Sequence, residues 1–584
     1  MSTASPSRIR LHRRPLVLCL AAILGASATP AIPVIASPAT TLTVTSCEDS
    51  GAGSLRDTIA SAVSGDTIDF SPDLACSRIT LTSGAITIGQ GSDALPIETL
   101  DIVGPGRNAL TIDGNYLDRA LVHDAGAASV LTISGLAFQH GFTDGDGGCV
   151  LTQGSVSFDD VELSECAAGQ VMTARAPLGG PFRGGGLSAG GAVTLANSFV
   201  GDNKVDGQSA YAYGAGVFAG GDLTLTSTTI SGNFATSDTG ATFGGGIAVG
   251  NRSGSVQAGV FATESSIQNN TAFSHCGYCP VRGGGAWIYG NSTFEDSVIS
   301  GNTAFSDAHY GAGGGLYFTS RYGGTPVTAT LTDTNLGSNS ADESGGAIGA
   351  NGDISITRAT ISGNNANADG GAIELLGGDL HLTDSTLTGN IAGSRGGGIF
   401  LFGYGDVATS NSTISGNMAV DGGAIGNTYG SLHLANSTVA FNTASEHGGG
   451  IYQRYAYYVV DLRSTIVAGN TTSGSPEDLW PPGITVTGSN DLVTAAPGVE
   501  LPNDTLSADP LLQPLADNGG PTLTHALGEG SPAIDAGSND AFLDFDQRGD
   551  GFARVAGSDA DIGAFEVQAS GPPDLIFADG FDTL

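Results

Sequence analysis

The chain has 584 residues, of which 92 are glycine and 23 proline, roughly a fifth of the total against a usual ~12%. Charged residues make up 13% and hydrophobic ones 40%, which excludes a highly charged disordered polymer, and glycine does not recur at every third position, which excludes collagen. Twenty Lys and Arg stand against 57 Asp and Glu, a net charge of −37 with Lys204 the only lysine, and nucleic acid is excluded as a partner.

Arg8, Arg10, Arg13 and Arg14 precede the apolar run Leu16 to Leu24, and Ala26-Ser27-Ala28 follows as a small-residue cleavage site. The pattern predicts a secretory signal peptide over residues 1–28, with an alternative cut after residue 36. No uninterrupted apolar run reaches the ~20 residues of a membrane-spanning helix, so no transmembrane segment is expected in the mature chain. Cys19 falls in the apolar core of the leader. Six cysteines remain: Cys47, Cys76, Cys149, Cys166, Cys276 and Cys279. An even number in an exported chain predicts three disulfides. Of the 15 connectivities, sequential pairing is expected, because each pair then lies within one local unit. Cys276-Gly277-Tyr278-Cys279 has the spacing of a redox dithiol, yet glycine-rich loops flank it, so a structural disulfide, buried in an insertion, is the expectation.

An asparagine recurs three residues after an aliphatic one: Asn203, Asn233, Asn270, Asn302, Asn339, Asn364, Asn390, Asn417, Asn442 and Asn470, at spacings of 25 to 37 residues. A small-residue turn follows each, usually with Gly-Gly, as in Gly396-Gly397-Gly398-Ile399. Within a unit the apolar residues alternate, as in Asp379-Leu380-His381-Leu382-Thr383, the period of half-buried strands. About three short strands per unit cannot bury their own inner face, so units must stack, each strand pairing in parallel with its counterpart in the next. Helical signals are absent. The expected fold is all-β, a parallel β-helix solenoid with N-terminal and C-terminal caps. The asparagines are expected to occupy a left-handed turn position and to hydrogen-bond from coil to coil.

The Ile-Ser-Gly-Asn and Gly-Gly-Ala-Ile elements, for example Ile361 to Asn364 with Gly370 to Ile373, resemble the right-handed parallel β-helix repeats of pectin-lyase-like exported bacterial proteins and adhesins. Cys47 to Ile59, followed by Gly65 to Phe70, resembles a CSLREA-type N-terminal segment, with Gly53 where a cysteine is usual. Asp509 to Leu512, Leu515 to Thr522, Ser531 to Gly537 and Asp561 to Glu566 resemble, in order, a choice-of-anchor Q region. These resemblances imply a cap with first coils over 37–125, β-helix repeats over 126–475, the anchor-like region over 476–569 and a sorting-like tail over 570–584. They also imply a secreted or bacterial cell-surface location.

Specific residues must decide function, since this fold carries both enzymes and inert binders. Asp159, Asp160 and Glu162 form the nearest acidic cluster on a strand, and alternation puts Phe158, Asp160 and Glu162 on one face and Asp159 and Val161 on the other. The acids are thus split, and no pectinase-type Gly-His-Gly or Arg-x-Lys element accompanies them. Asp144 and Asp146, and more so Asp544, Asp546 and Asp550, have alternate-residue spacing suited to calcium, without an EF-hand glutamate; otherwise no cofactor is expected. Arg548-Gly549-Asp550 is an integrin-like string expected by chance. Tyr452, Tyr455, Tyr457 and Tyr458 cluster and could stack sugars or pack an edge. The expectation is a monomeric binder of extracellular glycan or of a host or cell-surface component, without catalysis. The alternatives are a polysaccharide lyase or glycoside hydrolase on the same scaffold, and a structural surface component.

Overall fold

The computed structural model describes residues 39–169, 180–250, 257–320 and 326–568. The expected signal peptide and the tail over 570–584 lie outside the described residues. The described chain winds as a parallel β-solenoid, in which strands stack on their counterparts one coil away into sheets of 40, 13 and 5 strands. Register is strict: Ile230 pairs with Val200 and Ile267, and Leu387 with Ile361 and Ile414. The aliphatic residues three before the ladder asparagines are at most 1% exposed and join one apolar interior running from Val44 to Val493. Alternation within each strand supplies that interior, because successive side chains point to opposite faces of the sheet.

Three corners turn each coil. At the first, a left-handed residue such as Asp384 or Asn411 precedes a serine or threonine. The hydroxyl of that residue accepts the backbone N–H of the equivalent residue one coil back. Ser385 Oγ accepts from Ala359 N at 3.0 Å and donates to Thr383 O at 2.6 Å, and Ser412 Oγ accepts from Ser385 N at 3.2 Å. At the second corner stand the asparagines. The third is the glycine turn, where Gly396 has φ +66° and a Cβ on Gly397 would sit 2.3 Å from the Gly423 carbonyl oxygen. Only glycine allows the coils to approach there.

The asparagines are not the left-handed residues. The residue before each carries the positive φ: Gly232, Gly301, Gly363, Gly389, Gly416 and Gly469, with Asp202, Asn269, Ser338 and Phe441 at the others. This corrects the expected turn role. Asparagine is placed there by its amide, which makes four bonds. Asn390 Oδ1 accepts from Asn364 N (3.0 Å) and Asn364 Nδ2 (2.9 Å), while its Nδ2 donates to Ile361 O and Asn417 Oδ1, both at 2.9 Å. The chain of amides runs unbroken from Asn203 to Asn470. At one end Asn203 Oδ1 accepts from Cys166 N at 3.0 Å, and at the other Asn470 Nδ2 donates to the buried Asp478 at 2.8 Å.

The expectation of three strands per unit holds for the shorter coils. The longer ones add a fourth run, Phe182–Arg183, Ala212–Tyr213, Thr242–Phe243, Val281–Arg282 and Gly311–Ala312. A second correction concerns the absence of helix: Leu55–Ser61 is helical, capped by Ser54, whose hydroxyl accepts from Asp57 N. Ser54-Leu55-Arg56-Asp57 is a capping signature in the sequence. The disulfides are Cys47 with Cys76, Cys149 with Cys166, and Cys276 with Cys279. The last lies at the surface beside Tyr278, which is 86% exposed, and is not buried as expected.

The C-terminal segment runs back along the outside of the coils and covers their hydroxyl-bearing face. Gln547 is its anchor: Nε2 donates to Thr386 Oγ1 at 2.9 Å, and Oε1 accepts from Thr413 Oγ1 at 2.6 Å. His525 Nε2 meets Ser415 Oγ at 2.8 Å, and Ala564 N donates to Thr438 Oγ1 at 3.0 Å. Thr386, Thr413, Ser415 and Thr438 point outward and are nonetheless buried.

Candidate functional site

The outward row next to the glycine turn carries most of the unusual chemistry. In register it runs Phe218, Ala248, Trp287, Tyr317, Gly349, Glu374, Phe400, Gly426, Tyr452, Trp480. Over the longer coils the added fourth run folds against it, and Phe218, Trp287 and Tyr317 pack with Tyr213 and Phe243 into a second apolar cluster outside the solenoid interior. Arginines close over this row: Arg282 over Tyr317 at 5.2 Å and Arg395 over Phe400 at 4.2 Å.

Glu374 sits where longer coils give way to shorter ones and is 8% exposed. Burial pushes its carboxyl up to about 8, Asp369 and Glu343 push the same way, and Arg282 and Ser344 offset only part. The neighbouring guanidiniums are engaged elsewhere: Arg282 Nη1 pairs with Glu343 at 3.3 Å, and Arg395 grips Asp369 through Nε at 3.0 Å and Nη2 at 2.6 Å. The result is a carboxylic acid that keeps its proton at neutral pH beside two further acids, an arrangement able to donate a proton.

A few coils on, the same side of the molecule carries an exposed ribbon of rings. The continuous strands Ile399–Ser410 and Ile425–Ala435 pair Tyr404 with Tyr429 in register, with ring centroids 5.7 Å apart. Tyr429 stacks on Tyr455 at 5.2 Å, Tyr455 on Tyr457 at 5.6 Å, and Tyr457 meets Tyr458 at 4.5 Å. Tyr404 is 78% and Tyr457 70% exposed. The steps from Tyr404 to Tyr429 and from Tyr429 to Tyr455 follow successive coils, Tyr457 and Tyr458 extend the row within one loop, and the ribbon offers apolar ring surface edged with phenols. Hydrogen bonding to Tyr455, with that ring's charge, raises the Tyr429 phenol.

The tyrosines expected from the sequence are thus divided. Tyr455, Tyr457 and Tyr458 belong to the ribbon, whereas Tyr452 turns away and stacks on Trp480 at 5.1 Å and 6°. Tyr404 and Tyr429 were missed, since they come from other coils and only the in-register stacking of those coils brings them near.

The acids of Ser155–Ser164 are all engaged by neighbours. Asp159 accepts from Asn197 Nδ2 at 2.8 Å, Asp160 from Arg107 N at 3.2 Å, and Glu162 from Gln139 Nε2 at 3.0 Å. Their expected division between faces is corrected: Asp160 has φ +52°, a corner that resets the alternation, so Phe158 and Val161 both face inward and Asp160 does not share the face of Phe158. Asp146 is likewise committed, accepting from Arg183 N at 2.9 Å.

Asp544, Asp546 and Asp550 do not converge. Asp546 is fully buried on Arg548, with Nη2 to Oδ2 at 2.6 Å, and also accepts from Glu566 N at 2.9 Å, while Asp544 and Asp550 are exposed. Arg548 itself lies between the rings of Phe552 and Phe565, 4.0 and 3.8 Å away, so Arg548-Gly549-Asp550 is not presented as a string. Glu566 accepts from Ala556 N and Asp561 N and pairs with the buried Arg554. Asp561 and Glu566, which belong to the anchor-like resemblance, therefore help to hold the C-terminal segment together.

These features define, among the described residues, a parallel β-helix with an aromatic outer ribbon and a buried glutamate flanked by two half-buried acids on its glycine-turn side. No family model matches the chain, and no curated protein matches it. Among solved structures, the crystal structure of pectate lyase Pel9A aligns with 91% of this chain and 97% of that chain, at 13% identity and a TM-score of 0.23. That likeness has no bearing on activity. No helix of the described residues is long and apolar enough to cross a membrane.

Proposed function

We propose that the protein is an exported, surface-displayed or secreted β-helix binder of extracellular glycan. The observation that carries the reading is the ribbon in which Tyr404, Tyr429 and Tyr455 come from successive coils and Tyr457 extends the row within the loop of Tyr455, with Tyr404 and Tyr457 largely exposed and Tyr429 and Tyr455 half-buried. Rings and phenols at that spacing suit the apolar faces and hydroxyls of successive sugar units. The N-terminal charge pattern and the resemblance of residues 476–569 to an anchor-like region support export and surface display. The protein is expected to retain at least one glycan on an array, and the double variant Tyr404→Ala with Tyr457→Ala to bind it at least ten-fold more weakly with an unchanged melting temperature. Unchanged glycan affinity in that variant, or an array without a hit, would remove the reading.

Glu374 favours a second reading, a carbohydrate-active enzyme, because its carboxyl, raised by burial and by the charges of Asp369 and Glu343, keeps a proton as the general acid of a glycosidase does. Reducing-sugar release or absorbance gain at 235 nm that disappears in Glu374→Gln would promote this reading over the first.

A further inference from the structure

Two successive coils bring one imidazole and two carboxylates together just before the glycine turn. Met418–Asp421 pairs with Thr443–His447, and a register shift after Ala419 sets Asp421 directly beside His447. Glu446 adjoins, and ligand atoms of Asp421, Glu446 and His447 all lie within 4.8 Å of one another.

Each of the three is prepared for a ligand in a different way. The His447 ring is stacked on Trp480 at 4.4 Å and 17°, and Trp480 on Tyr452, so the imidazole plane is fixed by packing. The Asp421 carboxylate is set beside His447 by the register shift, and its Oδ1 is shut off from water with no hydrogen-bond partner. Glu446 is exposed and free to swing in. Arg395, the nearby cation, is already spent on Asp369 through two hydrogen bonds, and neither Asp421 nor Glu446 forms a salt bridge with an arginine or lysine among the described residues. A buried oxygen without a partner is costly, and a second carboxylate beside it adds repulsion.

We propose that Asp421, Glu446 and His447 bind one divalent transition cation of the zinc class, with the remaining position open to water or to a ligand. One imidazole nitrogen with two carboxylate oxygens suits a borderline cation, whereas calcium takes six to eight oxygens. The net charge of −37 favours the approach of any cation, so the ligand set must supply the selectivity.

Cobalt(II), a spectroscopic stand-in for zinc, tests this in the full chain after dialysis against a chelator. The expected result is saturable binding of one equivalent with visible d–d absorption, displaced by Zn2+ and not by equimolar Ca2+. His447→Ala is expected to weaken Co2+ binding at least ten-fold. Glu446→Gln, at an exposed position that leaves folding intact, is expected to weaken it as well, with an unchanged circular dichroism spectrum in metal-free buffer. Only weak, multiple-site Co2+ binding, binding that both variants retain in full, or displacement by Ca2+ as readily as by Zn2+ would overturn the proposal.

Discussion

Asn390→Ala is expected to destabilise the protein by about 2 to 4 kcal/mol. The side chain is fully buried and makes four hydrogen bonds; its loss takes the side-chain acceptor from Asn364 N and one bond each from Ile361 O, Asn364 Nδ2, which keeps Leu336 O, and Asn417 Oδ1, which keeps Asn390 N. Each orphaned buried group costs about 1 to 3 kcal/mol, only partly relieved if water enters the space. Ser385→Ala, at the hydroxyl corner of the same coil, removes one acceptor for Ala359 N and is expected to cost about 1 to 2 kcal/mol. Denaturant titrations of the two variants against the parent check the ordering. A loss below ~1 kcal/mol for Asn390→Ala, or a larger loss for Ser385→Ala, would show that the amide ladder does not support the coils.

Glu374→Gln is expected to make the protein more stable at neutral and mildly alkaline pH, and to flatten the dependence of its stability on pH. The folded-state carboxyl titrates near 8 against an ordinary 4.5, so the folded state holds a proton that the unfolded state releases. Stability from this group is therefore fully present below about 4.5 and falls as pH rises towards 8, with a slope approaching about 1.4 kcal/mol per pH unit inside that window. Glutamine keeps the shape and the neutral form without the titration. The difference between parent and variant in chemical denaturation at pH 5, 6, 7 and 8 isolates this group from the other raised acids, Asp384, Asp491 and Glu566. A difference that stays constant with pH, or one that favours the parent at pH 8, would contradict the assignment.

The repeat is legible in the residues because every coil meets the same physical demands. An aliphatic position faces the interior, a glycine must turn where backbones approach, and an asparagine must satisfy the corner. Those demands recur every 25 to 37 residues. The asparagine row could be read as a ladder, yet its backbone role could not, since Gly-Asn spells a left-handed position without saying which of its two residues takes it. The hydroxyl ladder, by contrast, was present and unread. Asp384-Ser385, Asn411-Ser412 and Asn436-Ser437 stand two residues before the aliphatic position of each repeat, but a serine beside a threonine resembles any polar strand.

The sequence by itself determined the stacking of parallel strands, the amide row and the cysteines that pair, because each of these depends on local period or residue type. The tertiary structure alone decided which outward side chains meet. Tyr404, Tyr429 and Tyr455 lie some 25 residues apart along the chain, yet their ring centroids are 5.7 and 5.2 Å apart, and Asp421 reaches His447 through a one-residue register shift. A solenoid converts sequence separation into a coil rise of about 4.8 Å. Neighbours on its outer face are therefore set by insertion lengths and bulges, which leave no periodic trace in the chain.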